Sequence, residues 1–465
     1  MASRGGFNSK IGFILAAAGS AVGLGNIWQF PFEVQAGGGA AFVFIYLAFS
    51  FILCFPVMVT EIAIGRKTQK NPVGAFKELG YKKWSIIGLM GVISGVLILS
   101  FYNVVAGWAF GYFLEMIQGN FGIGDRFTQF TSSEIGRVSL YGIIFMGMTA
   151  FIVSKGISGG IEKAAKFLMP TLLIMIIGLT IYGLTLDHAF EGVKFYLVPD
   201  FSKVTGSVIY NAMGQAFFSL SLGMGALITY GSYVDRKENI VSSAAYITLA
   251  DVGIAFCAGL LMFPLVSFMN AGNMDNVQGG AGLIFATLPG VFETFTGPGG
   301  VIIGSLFFLL LCFAALTSTV SLLEVPVSYV VDEFKVQRKT TVWIIAIVIF
   351  IIGIPSLLSK GASDFFSTSF ITYDGGSMNT DFMNFIQKLA NDTFLPFGGC
   401  LITFFGAWIW KKKNLNEELA QGYPGYRGSF VEKYINFAVG FLAPAVLAVV
   451  FVLIVLSSFF DINVV

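Results

Sequence analysis

The chain alternates long apolar runs with short polar connections. A helix needs about 20 apolar residues to cross the hydrocarbon core of a bilayer. Eleven such runs occur, at 11–33, 39–64, 84–118, 138–154, 164–186, 205–232, 239–269, 299–331, 341–358, 383–410 and 433–460. We number them spans 1 to 11. The pattern predicts an all-α polytopic membrane protein with eleven transmembrane helices and no separate soluble domain.

Two spans contain polar and glycine clusters where a continuous helix would be expected. Span 1 carries AAAGSAVGLGN, Ala16 to Asn26, and span 6 carries SLSLGMG, Ser219 to Gly225. Each glycine in a helix interior costs about 1 kcal/mol relative to alanine. Glycines also permit close helix packing, but two matched clusters, each opening a set of five spans, favour broken helices at a transporter's binding site.

An unwound segment inside a membrane exposes backbone groups that can bind ligands. Free N–H groups at the start of a half-helix suit a carboxylate. Free carbonyls with nearby hydroxyls suit an ammonium or a sodium ion. In span 8, Thr317 and Ser318 follow Ala314 by one turn and could complete a sodium site, although such hydroxyls often bond their own helix.

Three acidic residues within the spans are functional candidates, because charges in the bilayer are costly. Asp251 lies in span 7 and Glu324 in span 8. Glu61 ends span 2, where it is either interfacial or a support for a helix break.

Composition and charge support this interpretation and exclude other classes. Hydrophobic residues make up 56% and charged residues 11% of the chain, against about 25% charged in soluble domains. With a cytoplasmic N-terminus, most of the 27 lysines and arginines fall on the cytoplasmic side, so the C-terminus is predicted outside. The net charge of +1 without a basic tract argues against nucleic acid. The single histidine and the four cysteines, which lie in apolar runs, show no catalytic or metal-binding pattern, so an enzyme is not predicted.

Several motifs together resemble the neurotransmitter:sodium symporter family, in particular its eleven-span bacterial amino-acid transporters. They are SKIGFILAAAGSAVGLGNIW with QFP, GGGAAF, EIAIGR, YNVVAGW, GQAFFSLSLGMGALITYGSY and ALTSTVSLLE. The resemblance implies the LeuT fold, in which a 5+5 inverted repeat has broken helices 1 and 6. It implies one transporter domain over 1–465, with repeats at about 8–186 and 205–412 and an extra helix at about 433–460.

The family pattern also implies site residues and sodium as the coupled ion, at two sites. The first site would use Ala21, Asn26, Ser219 and Asp251, and the second Gly19, Val22, Ala314, Thr317 and Ser318. Substrate would contact Ala21, Leu24, Gly25, Ile98, Tyr102, Phe218, Ser219, Ser221, Met224, Ser318 and Leu322. Glu61, Gly160 and Pro170 would support the helix breaks and local unwinding.

The resemblance further suggests two gates and one departure from chloride-dependent relatives. The outer gate would comprise Gln29, Gln387 and Phe217, with amides where the family has an ion pair. The inner gate would comprise Arg4, Asp332 and Tyr233. Chloride-dependent relatives carry a serine at the position of Ala255. Because Asp251 supplies a fixed negative charge, no chloride requirement is expected.

The predicted function is sodium-coupled symport of hydrophobic or aromatic L-amino acids across a bacterial inner membrane, by alternating access. An alternative is another small zwitterion, such as GABA, betaine or taurine, and a remote one is a membrane amino-acid sensor. Membrane lipid is an expected partner, and the protein is expected to be a monomer or a weak homodimer.

Overall fold

The computed structural model describes residues 5–274, 282–295, 297–374 and 377–462. Within these ranges, nine helices are long and apolar enough to cross a membrane. They correspond to spans 2 to 5 and 7 to 11, and run over Ala40–Thr68, Lys82–Ile117, Ile135–Ser154, Ile157–Gly183, Ile240–Met269, Gly299–Phe334, Arg338–Leu358, Phe382–Ile409 and Phe430–Phe460.

Spans 1 and 6 are broken, as their glycine clusters predict. Span 1 consists of Lys10–Ala21 and Gly25–Ala36, which are bent by 50° at the break. Span 6 consists of the helices Gly206–Ser219 and Ala226–Gly231, each shorter than a bilayer crossing. With these two broken spans, the nine continuous helices match the eleven predicted segments.

Several spans contain π-helical turns, and short elements connect them. The π turns cover Gly25–Gln29, Ser50–Cys54, Ile157–Ile161, Lys388–Phe394, Phe405–Ile409 and Ala438–Leu442. The connecting helices, one of which begins with the π turn Gly282–Thr287, are Pro72–Glu78, Phe121–Ile123, Phe127–Ser132, Ala189–Leu197, Phe201–Lys203, Gly282–Glu293, Asp364–Thr368 and Lys412–Ala420. The strands Phe370–Asp374 and Ser377–Thr380 form an antiparallel hairpin between spans 9 and 10, which the all-α prediction did not include.

The broken spans are held within a scaffold of continuous helices. The second half of span 6 lies so close to span 2 that a Cβ on Gly65 would be 2.1 Å from the Ile228 carbonyl oxygen. Spans 4 and 8 are joined by a buried 2.8 Å hydrogen bond between the hydroxyls of Thr149 and Thr319. This packing leaves the two breaks as irregular backbone inside the protein, which is where a membrane protein can tolerate it.

Candidate binding site at the helix breaks

The break in span 1 begins where the helix ends at Ala21. Val22 is extended, with ψ of 110°, and its amide closes the last helical hydrogen bond. Helical structure resumes at Gly25 as a π turn. A Cβ on Gly25 would lie 2.8 Å from the ring of Phe218. Glycine is therefore needed where this backbone meets span 6.

The break in span 6 combines left-handed residues with a buried carboxylate. Ser221, Gly223 and Gly225 have positive φ values of 54°, 78° and 75°. The Oε1 atom of Glu61 accepts a 2.8 Å hydrogen bond from the Gly223 amide. Its Oε2 atom is buried without a hydrogen-bond partner in the described part of the chain. Glu61 thus lies at the break and not at the interface.

A cluster of oxygen atoms surrounds the buried carboxylate of Asp251. Asn26 Nδ2 donates to Asp251 Oδ1 over 2.7 Å, and Ser219 Oγ lies 2.9 Å from both carboxylate oxygens. The Tyr46 hydroxyl lies 3.2 Å from Oδ2. No lysine or arginine of the described ranges pairs with this carboxylate within 4 Å. A negative charge here has neutral donors only, and such a site favours a bound cation.

A second oxygen cluster joins span 8 to the break in span 1. The Thr317 hydroxyl lies 3.0 to 3.3 Å from the carbonyl oxygens of Phe313, Ala314 and Val22. The Ser318 hydroxyl lies 3.2 Å from the Val22 carbonyl oxygen and 3.4 Å from that of Ser20. These hydroxyls have one proton each for five carbonyl contacts. The excess of acceptors matches the all-oxygen ligand sets of hard cations.

Between the two clusters is a small cavity of about 20 Å³. The Leu24 amide at its edge donates a 2.7 Å hydrogen bond to the Tyr102 hydroxyl. Ser221 Oγ donates to the Ser20 carbonyl over 2.8 Å. The lining residues are Ser20, Ala21, Gly23, Gly25, Ile98, Tyr102, Phe218, Ser219, Ser221, Met224, Ser318 and Leu322. Leu24 is the one predicted substrate contact outside this list, and it reaches the cavity through its amide.

A larger vestibule of about 590 Å³ lies on the other side of Phe218. Gln29 and Gln387 both line it, and their role as an outer gate stays a prediction. Phe218 lines both cavities and separates them. The prediction of Phe217 as the gate aromatic is therefore corrected, because Phe217 is fully buried and packs against Gly399 of span 10.

The opposite end of the broken spans is closed by packing. The Glu162 carboxylate accepts hydrogen bonds from the Asn8 amide (2.8 Å) and the Ser9 hydroxyl (3.0 Å), directly before the helix of span 1 begins. The Phe7 amide donates to the Tyr233 carbonyl over 3.2 Å, and the ring of Phe7 packs against that of Tyr233.

The predicted inner gate is only partly covered by the described residues. Arg4 lies outside them, so its expected ion pair with Asp332 stays a prediction. The Asp332 carboxylate accepts a 3.1 Å hydrogen bond from the Asn71 amide. The Tyr233 hydroxyl donates over 2.7 Å to Glu324, which forms an ion pair with Arg338.

The two residues predicted to allow unwinding of span 5 lie in separate elements. Gly160 belongs to the π turn Ile157–Ile161, and Pro170 lies inside the following helix. Their role in unwinding span 5 stays a prediction.

Sequence reasoning did not find Tyr46, Ser20 or Gly23 as members of the site. Tyr46 lies in a uniformly apolar stretch of span 2, and a lone tyrosine there is typical of helix packing. Ser20 contributes its backbone carbonyl, which no side-chain pattern indicates. Gly23 belongs to the glycine cluster of span 1, but the cluster does not indicate which of its glycines line a cavity.

Comparison with known proteins places this architecture. The model of the sodium:neurotransmitter symporter family matches residues 4–126 and 126–461. The chain belongs to this family. It is 34% identical over 450 residues to the uncharacterised sodium-dependent transporter YhdH of Bacillus subtilis, with 95% of this chain and 96% of the relative covered. A sodium- and chloride-dependent betaine transporter of Caenorhabditis elegans is 26% identical and covers 97% of this chain and 80% of its own length.

A solved structure supports the same assignment. The crystal structure of MhsT in complex with L-phenylalanine superposes with a TM-score of 0.87 and 39% identity, covering 97% of this chain and 99% of MhsT. The protein is therefore a sodium-dependent symporter with the LeuT fold and is integral to a membrane. The predictions of family, fold and a non-enzymatic function are confirmed.

Proposed function

We propose that this symporter imports hydrophobic or aromatic L-amino acids, driven by sodium at two sites and independent of chloride. The observation that carries this proposal is the position of Asp251. Its buried carboxylate meets Asn26 and Ser219, which come from the two helix breaks. A sodium ion bound here would join both breaks and the substrate.

The chemistry of the cavity supports an apolar side chain in the substrate. Its apolar part is formed by Ile98, Phe218, Met224 and Leu322, and none of its lining residues is acidic or basic. A charged substrate side chain would be buried there without a partner, at a cost of several kcal/mol. Met224 is flexible and accommodates side chains of different sizes. The relative MhsT binds L-phenylalanine, which agrees with this substrate class.

The backbone of the breaks suits the α-amino and α-carboxyl groups. The amides of Leu24 and Gly25 begin the outer half of span 1, where the helix dipole favours a carboxylate. The Tyr102 hydroxyl already bonds the Leu24 amide and would donate to the same carboxylate. Carbonyls at Ala21, Phe218 and Ser219 would accept the ammonium.

Coupling follows because the substrate carboxylate would itself be a ligand of the first sodium ion. The second ion would be held by Thr317, Ser318 and the carbonyls of Gly19, Val22 and Ala314. The membrane potential contributes about 2.3 kcal/mol per charge per 100 mV, which adds to the sodium concentration gradient in driving accumulation.

The two ends of the site support alternating access. The vestibule is open as far as Phe218, while Glu162 and Tyr233 hold the N-terminal segment on the other side. We assign the open side to the cell exterior and the N-terminus to the cytoplasm of a bacterial inner membrane. Closure at Gln29 and Gln387, followed by release of the N-terminal segment, would expose the site to the cytoplasm.

Transport by purified protein in liposomes tests this proposal. Uptake of labelled leucine, tyrosine, tryptophan and phenylalanine is followed with an inward sodium gradient, an inward potassium gradient, and gluconate in place of chloride. Sodium-driven accumulation that persists in gluconate is expected. A Thr317→Val variant, which removes one hydroxyl from the second sodium cluster with little change in volume, should show sharply reduced uptake.

The alternative substrates give a different result in the same assay. If none of the four amino acids is accumulated while GABA, betaine or taurine is, the substrate class is wrong and the coupling is right. If sodium drives uptake only with chloride present, the role given to Asp251 is wrong.

A further inference from the structure

The beginning of span 3 and the end of span 10 lie close together on the side predicted to be cytoplasmic. The Tyr81 hydroxyl, just before span 3, donates a 3.0 Å hydrogen bond to the Ile409 carbonyl at the end of span 10. The ring of Trp84 stacks at 6.1 Å on that of Phe404. Folding thus brings together two chain segments that are more than 300 residues apart.

These contacts place two groups of lysines at one corner of the molecule. Lys82 and Lys83 lie between Tyr81 and Trp84, and Lys411 and Lys413 follow span 10. We call these four exposed residues the lysine patch. Between the last two, Lys412 is half-buried, and its Nζ atom lies 4.8 Å from the centre of the Phe441 ring of span 11.

The lysine patch is not neutralised within the protein, whereas three other cations on this side are. Arg66, Lys77 and Arg338 pair with Glu418, Glu333 and Glu324, respectively. For the four patch lysines, no acidic partner lies within 4 Å in the described ranges. Lys411 also has φ of 73°, a backbone conformation that is costly for a residue other than glycine.

The surroundings of the patch are those of a membrane interface. Trp84 and Trp408 lie near the ends of spans 3 and 10, and Trp408 is 52% exposed beside the exposed Phe404 and Phe441. Tryptophans at this level are typical of the headgroup region. Exposed lysines next to the headgroup region are placed to contact a phosphate group. Clusters of four or more cations next to a span are typical of anionic-lipid recognition.

We propose that the lysine patch binds the headgroup phosphate of an anionic phospholipid of the surrounding membrane. The lipid's acyl chains would lie along the exposed apolar surface of spans 3, 10 and 11. The phosphodiester would neutralise charges that the protein leaves unpaired. The assigned membrane side rests on the proposed orientation, but the binding itself does not depend on transport.

Lipid binding by the purified full-length protein tests the proposal. Native mass spectrometry counts phosphatidylglycerol or phosphatidylcholine molecules retained as each lipid is titrated in detergent. In the test variant, Lys82, Lys83, Lys411 and Lys413 are each changed to Gln. The matched control changes Lys155, Lys163, Lys335 and Lys339 to Gln, which removes the same charge from the same predicted side.

The expected result is that phosphatidylglycerol binds wild type and control alike and the patch variant about tenfold more weakly, a loss of about 1.4 kcal/mol, because the headgroup phosphate then has no cationic partner at the patch. Phosphatidylcholine should show no such difference. If both variants lose phosphatidylglycerol binding equally, the binding depends only on the total surface charge, and the proposal is overturned. Inorganic phosphate is titrated in parallel, and thermal stability is measured with each ligand. If phosphate binds and stabilises the protein as well as phosphatidylglycerol does, the ligand is a free anion and the proposal is overturned.

Two further points separate the lipid-binding result from a folding defect and from the transport result. If the fourfold variant is not monodisperse, the double variants at Lys82 with Lys83 and at Lys411 with Lys413 are compared separately, and each should bind less phosphatidylglycerol. Failure of sodium-driven uptake in liposomes would count against the proposed function and would leave these binding data unchanged.

Discussion

Replacement of Asp251 by asparagine removes the fixed charge from the proposed first sodium site while preserving its shape. The Asp251 oxygens lie 2.7 to 3.2 Å from Asn26, Ser219 and Tyr46. Asparagine keeps one oxygen for Asn26, and its amide can donate to either hydroxyl, both of which can accept. The variant is therefore expected to fold, so that its sodium affinity can be measured.

The size of the effect follows from the charge and the dimensions of the cluster. Two unit charges 4 Å apart at an effective dielectric constant of about 20 interact by about 4 kcal/mol. That energy corresponds to about a thousandfold in affinity. Because the asparagine oxygen remains a ligand, we expect the half-saturating sodium concentration of Asp251→Asn to rise by about 100-fold.

The assay is sodium-dependent uptake or substrate binding at varied sodium concentration, with and without chloride. Ala255→Ser is the matched control, because it lies one turn further along span 7 and changes no charge. The control should keep the wild-type sodium dependence. In the double variant Asp251→Asn with Ala255→Ser, chloride should stimulate transport, since a bound anion can replace the lost carboxylate.

One outcome would refute this reasoning. If Asp251→Asn shifts the half-saturating sodium concentration by less than about tenfold and shows no response to chloride, the carboxylate is not the counter-charge of the ion. The buried cluster would then serve to pack spans 1, 6 and 7, and the chloride-independent mechanism would lose its basis.

Three other substitutions test parts of the site. Tyr46→Phe removes a hydroxyl that contacts Asp251 and should weaken sodium binding by about 10-fold or more, because a hydrogen bond to a charged group contributes about 1.5 kcal/mol or more; a sodium titration measures this. Gly25→Ala should abolish uptake, since its Cβ would be 2.8 Å from an aromatic ring, whereas Gly214→Ala has open space and should transport normally. Glu162→Gln should weaken closure of the N-terminal segment and increase labelling of a cysteine placed there, and unchanged labelling would contradict that role.

The sequence determined the architecture because its governing signals are local. Apolar runs of sufficient length define the spans. The glycine clusters in spans 1 and 6 define the breaks, because glycine destabilises a helix wherever it occurs in the helix interior. Asn26, Ser219 and Asp251 were also assigned from motifs, and the structure brings them together within hydrogen-bonding distance.

Tertiary structure alone decided which side chains face the site and which face the scaffold. Neighbouring positions on a helix differ by about 100° around its axis. Phe217 therefore packs against Gly399, away from the vestibule, while Phe218 lines the vestibule. Glu61 reaches the break in span 6 from a position 162 residues earlier. No local pattern encodes such a contact, because the arrangement of whole helices determines it.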